Sequence, residues 1–211
     1  MRRAHVVAIG ISEPHRLIAD QALKRLGAMA GLDSIEQPLP GECSATVVDL
    51  LNECLTSAMD PCRNQINTSR LFALLAFQPL AKHGVSPLIL LVRDRLWSGA
   101  ADNKFLRGHT WPQMFTVIST AGLDPPEFET MVLHEVAELF GAPSEHRKDT
   151  EQSYGGLHCD NYPKYACSLT QVDVNDRPSV CDLTRSRLKQ QRDFCPTCEE
   201  DLRALFSKQS E

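Results

Sequence analysis

At 211 residues, with 42% hydrophobic and 23% charged residues, the chain has the composition of a soluble globular protein with one good core, or one core and a small appendage. A net charge of -5 and the lack of a long basic run exclude the electrostatic footprint of nucleic-acid or anionic-membrane binding. The opening "MRRAHVVAIG" sets two arginines before an apolar run, but that run is too short for a signal peptide and "ISEPHR" follows without a small-residue cleavage site. Two prolines, a lysine and a histidine interrupt "LFALLAFQPLAKHGVSPLILLV", so it does not read as a spanning helix, and a cytoplasmic location is expected.

In chain order, "AHVVAIG" reads as a buried strand, and "HRLIADQALKRLGAM" carries apolar residues at helical spacing, ending at Gly31. "SIEQPLP" fits a short strand closing in a proline-limited loop. "SATVVDLLNECLTSAM" and "TSRLFALLAFQPLAKHG" read as two further helices, the second disturbed or ended near Pro79. "PLILLVRDRLW" and the β-branched "MFTVIST" read as strands. Strand and helix patterns alternate, which predicts an α/β domain with a mixed twisted sheet and flanking helices over residues 1–141.

The helix "GLDPPEFETMVLHEVAELFG" has the fullest set of signals. Asp124 suits the N-cap, Pro125 the first helical position, and Glu127 completes a capping box. Phe128, Val132, Val136 and Leu139 form an apolar stripe, and Gly141 ends the run. Beyond it "APSEHRKDTEQSYGG" is polar and turn-rich, and little apolar periodicity returns until a last short helix in "DFCPTCEEDLRALF". A segment so poor in core residues needs a cross-link, so residues 142–211 are expected to form a small stapled subdomain.

Five of the eight cysteines, Cys159, Cys167, Cys181, Cys195 and Cys198, crowd into residues 159–198. With no secretory signal such a cluster favours metal over disulfides. Cys43, Cys54 and Cys62 read as small buried hydrophobes. "CPTC" also has the form of a thiol-oxidoreductase motif, but that motif follows a strand and opens a helix near the start of a fold, not near its end.

His134 and Glu138 are four residues apart, so on a helix both side chains leave one face and can reach a single metal ion. Glu135 is turned about 100 degrees away, where it can address a water from the side. Hydrolytic zinc takes three protein ligands plus water, and two histidines with one glutamate is an accepted set. A His-Glu pair on an amphipathic helix is also a common surface feature with no chemistry attached. His5, His15, His83 and His109 have no partner at ligand spacing and read as surface or satisfied core residues.

With "HEVAELFG", "GLHCDN", "ACSL" and "FCPTC" in this order, the chain resembles the archaemetzincins, a branch of the metzincin metallopeptidases. That family carries His-Glu-x-x-His-x-x-Gly-x-x-His-Cys, a second cysteine, a methionine turn and a late Cys-x-x-Cys. Residues 142–155, taken as one insertion, leave Gly141 joined to "GLHC" and restore the spacing. Upstream, the first strand ending "AIG", the "QPLP" stretch and "RNQINTSRLFALL" are also similar. Glu138 stands where the family has histidine, and Leu169 where the turn has methionine.

The resemblance implies a zinc metallopeptidase acting on peptides or proteins. His134, Glu138 and His158 would hold a catalytic zinc, with His146 as the alternative third ligand and Glu135 as general base. Cys159, Cys167, Cys195 and Cys198 would hold a second, structural zinc, with Cys181 the alternative to Cys167. "MFTVIST" would be the sheet edge on which an extended substrate pairs. The competing expectation is a catalytically impaired relative that keeps the four-cysteine zinc and acts as a binding module.

Overall fold

The computed structural model describes residues 5–29, 45–78, 87–99, 106–141, 180–194 and 196–207. Within them the order is β1 (His5–Ile9), α1 (Glu13–Met29), α2 (Ala45–Ala58), β2 (Met59–Asp60), β3 (Gln65–Asn67), α3 (Thr68–Ala76) and β4 (Leu88–Val92). There follow β5 (Leu96–Trp97), β6 (Gly108–Trp111), β7 (Phe115–Ser119), α4 (Pro125–Leu139), α5 (Val180–Gln190) and α6 (Pro196–Ser207). The expected short strand in "SIEQPLP" lies outside the described residues.

The main sheet runs β1-β4-β7-β6, with β1, β4 and β7 parallel and β6 antiparallel to β7. All five residues of β4 are buried, as expected of a parallel strand covered on both faces. Their period-2 alternation divides the core. Ile89 and Leu91, with Ile118 of β7, pack against α1 and α4. Leu88, Leu90 and Val92, with Phe115 and Val117, pack against α2 and α3. Each fully buried aliphatic or aromatic side chain contributes roughly 1.5–3 kcal/mol, so the two faces fix the position of the helices. The mixed α/β class read from the sequence is therefore the observed one.

Two strand expectations are corrected. "MFTVIST" forms β7, an inner strand flanked by β4 and β6; among the described strands β6 is the outer one on that side. Phe115–Ser119 are all buried, whereas Gly108–Thr110 are half-buried and Trp111 is exposed, as an edge allows. Likewise "PLILLVRDRLW" is not one strand. The chain leaves the main sheet after Val92, and Leu96–Trp97 join a second sheet of order β2-β3-β5. The charged Arg93-Asp94-Arg95 cannot continue an apolar strand through the core.

Cys54 is buried on α2 as expected, but Cys62 is exposed, contrary to expectation. It sits in a tight turn whose Asp60 carboxylate accepts the backbone N–H groups of Cys62 and Arg63.

Helix α5 has no strong apolar stripe and was not expected. It is held instead by a polar junction. Buried Arg187 donates to Thr130 Oγ1 (3.1 Å), Asp193 Oδ1 (2.5 Å) and Glu129 Oε2 (2.5 Å). Arg25 of α1 closes the ring, through Nη1 on Glu129 (2.8 Å) and Nε on Asp193 (3.1 Å). Thr184 adds a bond to Thr130 at 3.0 Å. Phe194, Cys198 and Leu202 then enter the hydrophobic cluster that α1 and α4 share. Among the described residues no helix is long and apolar enough to cross a membrane.

Candidate metal centre

The site is built on α4, whose start follows the sequence signals. Asp124 accepts the Glu127 N–H at 2.8 Å, and Glu127 Oε2 accepts the Asp124 N–H at 3.1 Å. Such a cap stabilises a helix by about 1 kcal/mol and sets its first residue, and therefore the rotational phase of everything after it. At the other end Gly141 takes a φ of +91°, which lets the chain leave the helix without Cβ strain. Phe128, Thr130–Ala137 and Leu139 are buried, so α4 is an interior helix between the sheet, α1 and α5.

One face of this buried helix brings His134 and Glu138 together. His134 Nε2 lies 3.2 Å from Glu138 Oε1, with the imidazole side chain 5% exposed and the carboxylate side chain 15% exposed. Two donors each about 2.0–2.2 Å from one tetrahedral zinc stand about 3.4 Å apart. The pair as placed thus fits two neighbouring positions of such an ion, and the same approach is an ion pair when the imidazole is protonated.

Glu135 turns the other way, toward β6. Its Oε2 accepts the Thr110 hydroxyl at 2.5 Å, and Thr110 is in turn 2.7 Å from Thr116 Oγ1. The rest of the carboxylate lies over Gly108, where an added Cβ would fall 2.6 Å from Glu135 Cγ. The Glu135 carboxyl is pushed up to about 7, first by burial and then by the neighbouring negative charge of Glu138. His134 and the Thr110 hydrogen bond oppose that rise. A carboxyl poised near neutrality can both accept and release a proton at working pH.

His109 is a satisfied histidine, as expected. It meets Thr68 Oγ1 at 2.5 Å and packs on Phe72 with ring centroids 4.9 Å apart. Burial lowers its pKa, partly offset by the charge of Glu138.

The structure thus brings two of the expected ligands, His134 and Glu138, into contact, and directs Glu135 of the same helix toward β6. His146, His158, Cys159, Cys167 and Cys195 lie outside the described residues. Cys198 stands at the start of α6, fully buried. Cys181 lies in α5, and its side chain is outside what is described. Among the described residues no three His, Cys, Asp or Glu side chains are grouped to hold a metal ion. Pro196 opens α6 and the preceding element is helix α5, not the strand that a thiol-oxidoreductase motif follows.

Gly108 and Thr110 were missed at the sequence level. The signal was present: an isolated glycine inside a short strand marks close approach by another group. What approaches is set by α4, which is remote in sequence. No protein-family model matches the chain, and no curated protein matches it in sequence.

Proposed function

We propose that the protein is a zinc-dependent metallopeptidase of the archaemetzincin type, with His134, Glu138 and a histidine from the segment after Gly141 as the zinc ligands. His158 is that histidine by the family spacing, with His146 the alternative. The observation that carries this reading is the convergence of His134 and Glu138 at 3.2 Å, with Glu135 beside them and poised near neutrality. Bound there, zinc supplies Lewis acidity for activating water and the scissile carbonyl. Glu135 takes a proton from water as the water oxygen bonds to the peptide carbonyl carbon. It returns that proton to the amine nitrogen as the C–N bond breaks. Among the described strands β6 is the outer one on this side of the main sheet, where an extended peptide would pair. Glu138 in place of imidazole lowers the net charge of the site by one and so weakens polarisation of water and carbonyl.

The C-terminal residues complete the proposal as a second, structural zinc site formed by Cys159, Cys167, Cys195 and Cys198, with Cys181 as the alternative to Cys167. Full burial of Cys198 beside Phe194 and Leu202 suits a structural rather than a reactive thiol. The cysteine cluster of residues 159–198, read as a metal site, fits a reducing cytoplasm.

A second reading has its own support in the near-complete burial of Glu135, 5% exposed and bonded to Thr110. In it the carboxyl is a structural group, no peptide is hydrolysed, the four-cysteine zinc is kept, and the protein binds a partner. Peptide cleavage separates the two. Zinc-dependent hydrolysis lost in Glu135→Gln supports the enzyme; no hydrolysis by zinc-loaded wild-type protein supports the binding module.

A further inference from the structure

Strand β6 and helix α4 meet closely at Gly108. Gly108 leaves a notch in the strand, and the side chain of Glu135 fills it, with Oε1 and Cδ crowding the space a Cβ would need. The backbone at Gly108 is not in the left-handed region, so the glycine serves close approach rather than backbone conformation. Two residues along, Thr110 points from the same face and donates its single proton to Glu135 Oε2 at 2.5 Å. The proton for the 2.7 Å contact between the threonines then comes from Thr116, which is 1% exposed. The bond from Thr110 to the Glu135 carbonyl, at 3.2 Å, is a longer alternative.

We propose that Gly108 and Thr110 are positioning residues for Glu135, dividing its two oxygens between separate tasks. Thr110, backed by Thr116, holds Oε2 and fixes the carboxylate plane. The notch at Gly108 gives Oε1 its place beside the strand edge, where it is left to move the proton. The inference rests on the reading of Glu135 as general base and adds the residues that aim it. Thr110 and Thr116 occur as a cross-strand pair between β6 and β7, so the sheet itself sets the donor's position. A carboxylate held by a sheet-borne hydroxyl keeps one orientation before substrate arrives, which is where positional catalysis gains its rate.

Three variants of the full chain test this. Thr110→Val removes the donor, Thr110→Ser restores it without the methyl group, and Gly108→Ala fills the notch. Each is compared with wild type for the position of the Glu135 carboxylate in metal-free crystal structures, for zinc content, and for kcat and KM on a peptide. The expected result is a displaced carboxylate in Thr110→Val and Gly108→Ala, with zinc content and KM unchanged and kcat lower by about a hundredfold. Thr110→Ser keeps the wild-type position and rate. Gly108→Ala supplies the answer by an independent route should Thr110→Val not fold. A carboxylate unmoved in both variants overturns the proposal, as does a Thr110→Ser variant as slow as Thr110→Val. Full kcat in Thr110→Val within an active wild type defeats the positioning role alone; an inactive zinc-loaded wild type defeats the general-base reading and this role with it.

Discussion

His134 Nε2 and Glu138 Oε1 approach to 3.2 Å on one face of a buried helix. A histidine and a carboxylate one turn apart are ordinary on a helix surface, where the contact is worth a few tenths of a kcal/mol and is screened by salt. Here both side chains are largely withdrawn from water, so their charges act on each other and on Glu135 at close range. Burial raises the Glu135 carboxyl first and the charge of Glu138 adds to it, while His134 opposes the rise.

If Glu138 is a zinc ligand, replacing it with the histidine that archaemetzincins carry at this place should strengthen the site. Glu138→His removes one negative charge, and peptide hydrolysis is expected to rise about tenfold as water and carbonyl become better polarised. Steady-state assays with zinc-saturated protein measure this. Unchanged or lower turnover with normal zinc content argues that Glu138 does not face the reaction.

The Glu135 carboxyl also makes metal-free stability depend on pH. Its folded-state value, about 7, lies above the ordinary 4.5, so between these values the folded state holds a proton that the unfolded state has lost. Stability therefore falls as pH rises through this window and stays lower above it. Glu135→Gln keeps the Thr110 acceptor but removes the titration, so it should be more stable than wild type at pH 8 by a few kcal/mol and nearly equal at pH 4. Urea unfolding of metal-free protein at the two pH values tests the sign; a variant equally or less stable at pH 8 would refute it.

Arg187 should matter for stability more than its place in a polar segment suggests. Its side chain is 4% exposed and serves Glu129, Thr130 and Asp193 at once. Arg187→Ala leaves Glu129 and Asp193 with Arg25 as their remaining cationic partner and is expected to cost about 1–3 kcal/mol. Arg187→Lys should recover little of this, since one ammonium cannot span the three acceptors. Thermal unfolding of both variants at equal zinc content provides the comparison.

What the sequence disclosed follows the range of the interactions concerned. The start of α4 was legible because its cap involves only Asp124 and Glu127, three residues apart. The alternation that buries β4 on both faces is equally local. The rank of β7 was misread because a strand's place in a sheet depends on partners far away, and Gly108–Trp111 gave too short a pattern to announce an edge. Helix α5 escaped notice because Arg187 anchors it through ion pairs to Glu129 and Asp193 rather than through an apolar stripe. Residue type alone places Cys62 in the core, whereas the Asp60 turn puts it at the surface. His134, Glu135 and Glu138 could be named from spacing, but the notch and hydroxyl that receive Glu135 come from β6, and only folding brings that strand to α4.

The proposed function requires that His134 and Glu138 hold zinc at a site separate from the cysteines. Zinc per chain, measured by elemental analysis on dialysed protein, tests it most directly. Two zinc ions in wild type, one in Glu138→Ala and one in Cys198→Ser are the expected counts. A Glu138→Ala protein that retains the full wild-type zinc content would contradict the claim.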